Sequence, residues 1–233
     1  MTYTDPAKLE LLDAILPQVA FDGWSEEAFK AAIASTDIPA ARARSLCPRG
    51  ATDLAVLYHR EGDRRMVEAI AADDMSGLRF SEKVARAIRL RLDASPNKEA
   101  VRRGTTLFAL PHLAAEGAKL MWGTADAIWT ALGDTSRDAN WYTKRATLSG
   151  VWASVVLYWL GDQSVDHSAT DDFIDRRIAE VMQFEKFKAR VNANPLLKPL
   201  TIPLGKLAGM VRAPSAMRDV EVPGQWRKTG RES

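Results

Sequence analysis

Three histidines, His59, His112 and His167, and one cysteine, Cys47, are the residues of this chain best suited to metal binding or nucleophilic chemistry. Their surroundings argue against both. No histidine has a cysteine, a glutamate or a second histidine at ligand spacing, and no Glu-x-x-His pair of the di-iron bundle type occurs. A Gly-x-Ser-x-Gly elbow, a phosphate loop and a dinucleotide fingerprint are absent too. Cys47 stands between Leu46 and Pro48 with no partner base, the setting of a buried, inert thiol. Asp171 and Asp172 fall in the first turn of an expected helix, where carboxylates favour the helix dipole, and that reading is preferred to an acid-base or metal role. The expectation is a protein that is not an enzyme, with no catalytic residue, no metal and no cofactor.

Aromatic residues suggest a different chemistry. Five of the seven tryptophans, Trp122, Trp129, Trp141, Trp152 and Trp159, fall in two central segments, among Gly117, Gly123, Ala125, Gly150 and Ala153. Large rings beside small residues either pack as plain core or leave an apolar cavity for a hydrophobic ligand. If a cavity forms between these segments, Met121, Trp122, Ala125, Trp129, Trp152, Val156 and Trp159 are its expected lining.

The elements that position these residues are helical. Thr4, Asp5 and Pro6 open a first helix with the stripe Leu9, Leu12 and Leu16. Ser25 caps a second, with Ala28, Phe29, Ala32 and Ile33 inward, and a short third follows Pro39 and stops before Pro48. Further helices are expected from about 52 to 72, from Ser81 with Val84, Ile88 and Leu92 inward, and after Pro96 until Pro111. The two tryptophan-bearing helices cover about 112–132 and 138–160. The second is apolar on almost every side over 148–160, too short a run to span a membrane and suited to a core or a subunit interface. A last long helix is expected over 170–191, with Phe173, Ile174, Ile178, Val181 and Phe184 inward. The fold class is all-α, with about nine helices and a short C-terminal tail. Residues 1–72 form a helix-turn-helix-like region, 73–195 a larger helical domain and 196–233 a basic tail.

The net charge of +2 is unevenly spread: from residue 186 onward there are ten basic and three acidic residues, leaving 22 basic and 27 acidic before it. Such a tail either meets an anionic surface or is simply solvated. Leu204, Leu207, Ala208 and Val211 share one face of a possible short helix, with Lys206 and Arg212 placed to reach anionic head groups, so membrane contact is expected through Leu204, Lys206, Leu207, Val211 and Arg212. The single cysteine suits a reducing cytoplasm, and residues 1–16 resemble neither a secretory signal nor a transit peptide. In the third helix Arg42 and Arg44 could touch phosphates, but the region carries no positive excess and few residues that read base edges, so no nucleic-acid partner is expected.

Residues 133–145, Gly-Asp-Thr-Ser-Arg-Asp-Ala-Asn-Trp-Tyr-Thr-Lys-Arg, resemble the signature of the ninth Coq protein family, accessory proteins of ubiquinone (coenzyme Q) biosynthesis. The segments 101–111, 125–129, 158–164 and 173–181 agree as well, and the likeness runs over about residues 5–193. The resemblance implies a tetracycline-repressor-like fold with a vestigial helix-turn-helix and a helical ligand-binding domain. It implies a homodimer built through the last two long helices. It implies binding of an isoprenoid quinone or phospholipid and presentation of quinone intermediates to the di-iron demethoxyubiquinone hydroxylase. Trp141 and Tyr142 would then belong to the surface patch that contacts this hydroxylase, which suits exposed aromatics in a first helical turn. The implied location is cytoplasmic, peripherally attached to the inner membrane of a bacterium. The alternative is a helix-turn-helix transcriptional regulator with an apolar ligand pocket.

Overall fold

The computed structural model describes residues 4–193, with the backbone alone over 184–193. Among these residues all regular structure is helical: α1 (Pro6–Asp22), α2 (Glu26–Ala34), α3 (Ala40–Leu46), α4 (Ala51–Ala72), α5 (Phe80–Asp93), α6 (Lys98–Phe108), α7 (Ala114–Ala131), α8 (Ala139–Gly161) and α9 (Ser168–Ala193), with a single 3₁₀ turn at Val165–His167. The all-α expectation holds, and helix starts follow side-chain chemistry. Asp5, Ser25, Asn97 and Asp138 each accept a hydrogen bond from a backbone N–H of the first turn, at 2.9, 3.1, 2.9 and 2.9 Å. Gly50 turns α3 into α4 at φ 59°, in the left-handed region that favours glycine.

Two cores form. In the first, Leu11, Ile15, Phe29 and Leu54 are fully buried among α1, α2 and the start of α4, and Ala100 of α6 joins them. The second gathers Met66, Ile88, Ile128, Val155 and Ile174 from α4, α5, α7, α8 and α9. α4, with 22 residues and a length of about 33 Å, serves both. The stripe of α1 differs from expectation. Leu11, Leu12, Ile15 and Val19 are buried, while Leu9 and Leu16 are only partly so. The helix packs against α2, α4 and α6 at once, and the wider stripe starting at Leu11 covers all three.

The apolar run of α8 divides by face. Trp152, Val155, Val156 and Trp159 are buried, whereas Leu157 is 62% exposed. Tyr158 stacks on Phe173 of α9, with ring centroids 4.3 Å apart. Asp162 joins the two helices: its carboxylate accepts from Ser164 N at 2.8 Å and from Thr170 N and Oγ1 at 2.9 and 2.5 Å. Those bonds from Thr170 and Ser164 hold its pKa well below the usual carboxylate range. Among the described residues no helix is long and apolar enough to cross a membrane. The tail residues Leu204, Lys206, Leu207, Val211 and Arg212, and the side chain of Phe184, lie outside the described residues.

Candidate functional site

A cavity of about 270 Å³ lies between α4, α6, α7 and α8. Its inner wall is made by Leu92, Leu120, Trp152, Val156 and Trp159, all buried. Its rim is exposed at Thr105, Ala109, Ala114, Ala118 and Leu157. Gly117 lets α7 close on α6, since a Cβ there would stand 2.9 Å from Phe108 Cβ. Trp152 Nε1 is buried without a partner among the described residues.

Of the seven residues expected to line a pocket, Met121, Trp152, Val156 and Trp159 line this cavity. Trp122, Ala125 and Trp129 require correction. Each residue of α7 turns by about 100°, so Trp122 leaves the cavity for the surface beside α8. Ala125 is fully buried in the second core, and Trp129, two turns beyond Met121, lines a different cleft. The remaining walls come from α4 and α6, notably Tyr58, His59, Gly104 and Phe108, outside the tryptophan-rich helices on which the sequence expectation rests. His59 and Gly104 gave no periodic signal that could have found them.

Behind the cavity a polar cluster ties α4 to α5 and α7. Arg91, 2% exposed, donates from Nε to Asp63 Oδ1 at 2.7 Å, from Nη1 to Ser95 Oγ at 2.7 Å and from Nη2 to His59 O at 2.9 Å. Thr124 Oγ1 donates to Asp63 Oδ1 at 2.8 Å and lies 2.9 Å from His59 Nε2. A hydroxyl has one proton, so Nε2 is the donor of that second bond and the neutral imidazole keeps its proton there. Burial pushes the His59 pKa down to about 4, against the pull of Asp63. The cluster is thus an internally neutral brace. Cys47 is fully buried, and burial pushes its thiol pKa up, as befits a packing residue. Among the described residues no group of three His, Cys, Asp or Glu side chains could hold a metal ion.

The signature turn is built on a buried charge pair. Asp134 Oδ2 accepts from Arg145 Nη1 at 3.0 Å, and Asp134 Oδ1 accepts from Lys144 Nζ and Ser136 Oγ, each at 2.8 Å. Arg145 Nε reaches Asp126 Oδ1 of α7 at 2.5 Å. Its guanidinium carbon then sits 4.0 Å from the Trp141 ring centre. Trp141 meets Tyr142 edge-on at 4.7 Å, and Trp122 packs against both at 5.9 and 6.3 Å. Trp141 and Tyr142 therefore form a half-buried aromatic ledge rather than a fully exposed pair. The reason is the burial of Arg145 beneath Trp141 and the approach of Trp122, which sequence spacing alone does not show.

In the N-terminal region Arg44 is paired with Glu26 through two hydrogen bonds, and Arg42 stands 3.6 Å from Asp5. Both side chains expected to approach phosphates already face carboxylates.

The sequence model of the COQ9 family matches residues 114–185, which hold α7, the signature turn, α8 and the first part of α9. A probable ubiquinone biosynthesis protein coq9, mitochondrial, of Dictyostelium discoideum is 31% identical over 188 residues, covering 78% of this chain and 61% of its own length. The ubiquinone biosynthesis protein COQ9-A, mitochondrial, of Xenopus laevis is 30% identical, over 74% of this chain and 57% of its own. The Homo sapiens protein COQ9, mitochondrial, is 26% identical, over 74% and 56%. The matched part thus spans less than two thirds of these relatives. Among solved structures, a TetR transcriptional regulator from Nitrosomonas europaea superposes with a TM-score of 0.63 at 17% identity, over 76% of this chain and 98% of that one, a likeness of fold. The resemblance first visible in residues 133–145 is therefore shown: residues 114–185 are a COQ9-family domain, set in a TetR-like helical fold.

Proposed function

We propose that this chain is a non-catalytic, lipid-binding accessory protein of ubiquinone biosynthesis. It takes an isoprenoid quinone intermediate, or a phospholipid in its place, into the cavity between α4, α6, α7 and α8. It presents the intermediate to the di-iron demethoxyubiquinone hydroxylase, which docks at the ledge of Trp141 and Tyr142. It works as a homodimer through α8, α9 and the turn between them, where Leu157, Met182 and Val165 respectively are exposed on the outer surface. It associates peripherally with the inner membrane of a bacterium, with the basic tail as the contact.

The cavity carries this reading. An apolar cavity of roughly 150 Å³ accepts a benzene ring, so about 270 Å³ holds one ring or a few isoprene units. The rest of a long chain would leave over the rim formed by Thr105, Ala109 and Ala118. A DNA-binding regulator with an apolar pocket is what the fold alone would favour, and the pairing of Arg42 and Arg44 with carboxylates speaks against it.

Mass spectrometry of lipid extracted from the purified full chain tests the proposal. The native protein is expected to carry isoprenoid quinone or phospholipid. Ala153→Trp, which fills the cavity from α8, is expected to carry little. Absence of lipid from the native protein, or an equal load in the filled variant, would remove the cavity as the lipid site.

A further inference from the structure

The connection from α6 to α7 presents an apolar corner to solvent. Leu110 is 43% exposed, and Ala109, Pro111, Ala114, Ala115 and Ala118 are exposed around it. The corner is also the mouth of the cavity between α4, α6, α7 and α8, because Ala109, Ala114 and Ala118 stand on its rim. Charge of one sign flanks it: residues 100–115 hold two arginines and no carboxylate. Arg102 and Arg103 both turn to Glu99, at 3.1 and 3.0 Å, so one carboxylate serves two guanidiniums and a positive charge is left over. Each also donates from Nη2 to a carbonyl, Leu160 O at 2.7 Å and Ala20 O at 3.2 Å. These bonds fix the two arginines roughly 10 Å back along α6 from the corner. Lys119, exposed one turn beyond Ala115, forms no ion pair among the described residues. Glu116, the nearest carboxylate on α7, is held by Arg49 at 2.6 and 3.1 Å.

We propose that this corner docks on a lipid bilayer carrying anionic head groups, with Leu110 at the inserted tip. The proposal rests on the reading of the cavity as a lipid site and adds a contact separate from the basic tail. A chain that crosses water between bilayer and cavity is disfavoured about fourfold for each methylene it exposes. A cavity mouth that touches the bilayer removes that barrier, and the apolar corner puts the mouth there. Apart from Leu110 the exposed side chains are short, so the corner reaches the boundary between head groups and acyl chains and goes no deeper. At that depth Arg102, Arg103 and Lys119 meet the phosphates, where each basic residue adds to the attraction of an anionic surface. A protein seated on the same patch would close the mouth, whereas a bilayer extends it. A second copy would bring the same positive flank against itself.

The full chain with Leu110→Cys is labelled with an environment-sensitive nitrobenzoxadiazole dye, while Cys47, fully buried, stays unlabelled. Glu27→Cys, exposed on α2, carries the same dye as a control. Mixed phosphatidylcholine–phosphatidylglycerol vesicles are expected to brighten the dye at position 110 severalfold, to move its emission to shorter wavelength and to leave the dye at position 27 unchanged. Raised salt is expected to weaken the response. In flotation of the unlabelled full chain with these vesicles, Leu110→Asp and Ala115→Asp are each expected to bind about tenfold more weakly, through lost apolar burial and a carboxylate set against anionic lipid. Both positions are exposed, so helical content and Tm should match the native values. A dye at position 110 left unmoved by vesicles, equal brightening at both positions, or unaltered flotation in both variants would overturn the proposal. A dye at position 110 that brightens with protein concentration in the absence of vesicles would put a second copy on the corner and overturn it as well. Lipid extracted from the same preparations keeps the two readings apart. A chain that carries lipid while the dye stays dark loses the corner alone, and one that carries none while the dye brightens loses the cavity reading alone.

Discussion

Asp134 accepts a hydrogen bond from Arg145 at 3.0 Å, and each of the two side chains is only 3% exposed. Two charges removed from water in this way persist because the remaining bonds are made: Lys144 and Ser136 complete Asp134, and Asp126 completes Arg145. Burial opposes ionisation of Asp134, but Lys144, Ser136 and Arg145 outweigh it and hold its pKa well below the usual carboxylate range. Its folded pKa lies below the unfolded one, so its stabilisation is present above the unfolded value and is lost as pH falls towards the folded one. Asp134→Asn keeps the shape and removes the charge, leaving the buried guanidinium with Asp126 as its remaining carboxylate and the Trp141 carbonyl at 3.2 Å. The expected loss is about 3 kcal/mol, read from urea unfolding at neutral pH. A variant as stable as the native chain would show that the turn is held by packing and not by charge.

Trp141→Lys follows from the same turn. The substitution removes the ring under the Arg145 guanidinium and puts an ammonium in its place. The lost cation–π contact and the new repulsion together are expected to cost about 1–2 kcal/mol, visible as a lowered Tm with helical content retained, since the Asp134–Arg145 pair remains. Trp141→Phe keeps a ring and is expected to melt near the native value. In co-purification with the hydroxylase, the lysine variant should lose binding and the phenylalanine variant keep it. Equal retention by both would place the partner interface elsewhere.

His59 makes a prediction in a different pH range. Its pKa lies near 4 in the folded chain, against about 6.5 unfolded, because burial disfavours the imidazolium. The unfolded state therefore takes up a proton first, and stability falls as pH drops from about 6.5 towards 4. The loss between pH 7 and pH 5 comes to about 2 kcal/mol. His59→Gln removes the titrating group and should flatten the dependence over that interval, though the variant starts from a lower stability. Identical slopes for the two proteins would mean that the imidazole is solvated and not buried.

Most of the helix order could be read from the sequence, because caps and turns are local chemistry. Asp5, Ser25, Asp138, Pro39 and Pro48 each mark an end by what a single side chain or ring does to its own backbone. Residue facing was read less well. Leu9 gave way to Leu11 on α1 because three neighbouring helices, and not a single partner, set the buried stripe. The cavity was half legible: the tryptophans and small residues of α7 and α8 flagged two of its walls, but α4 and α6 come from far along the chain. His59 and Phe108 reach the same space only through tertiary packing. The signature showed where the aromatic ledge lies and not what supports it, since the Asp126–Arg145 contact spans nineteen positions between two helices.

Gly62 offers the sharpest test of the brace behind the cavity. It lies inside α4, where alanine would ordinarily be favoured over glycine by about 1 kcal/mol. A Cβ at this position would stand 2.5 Å from Arg91 Nη1 and 2.6 Å from its Cζ, so the guanidinium would have to move. It has little freedom to do so, because Asp63, Ser95 and the His59 carbonyl hold three of its nitrogens. Displacement leaves either a buried cation or the Asp63 carboxylate short of its partner, at a cost of about 3–5 kcal/mol. The helix-propensity gain recovers only part of this, so Gly62→Ala is expected to destabilise the chain by about 2–4 kcal/mol. Arg91 also lines the cavity, so the variant should change the amount of lipid that co-purifies. Gly62→Ser should behave at least as badly. If Gly62→Ala instead raises stability by the propensity increment, Arg91 does not cross α4 where the structure places it, and the polar brace is not what holds α4 against α5.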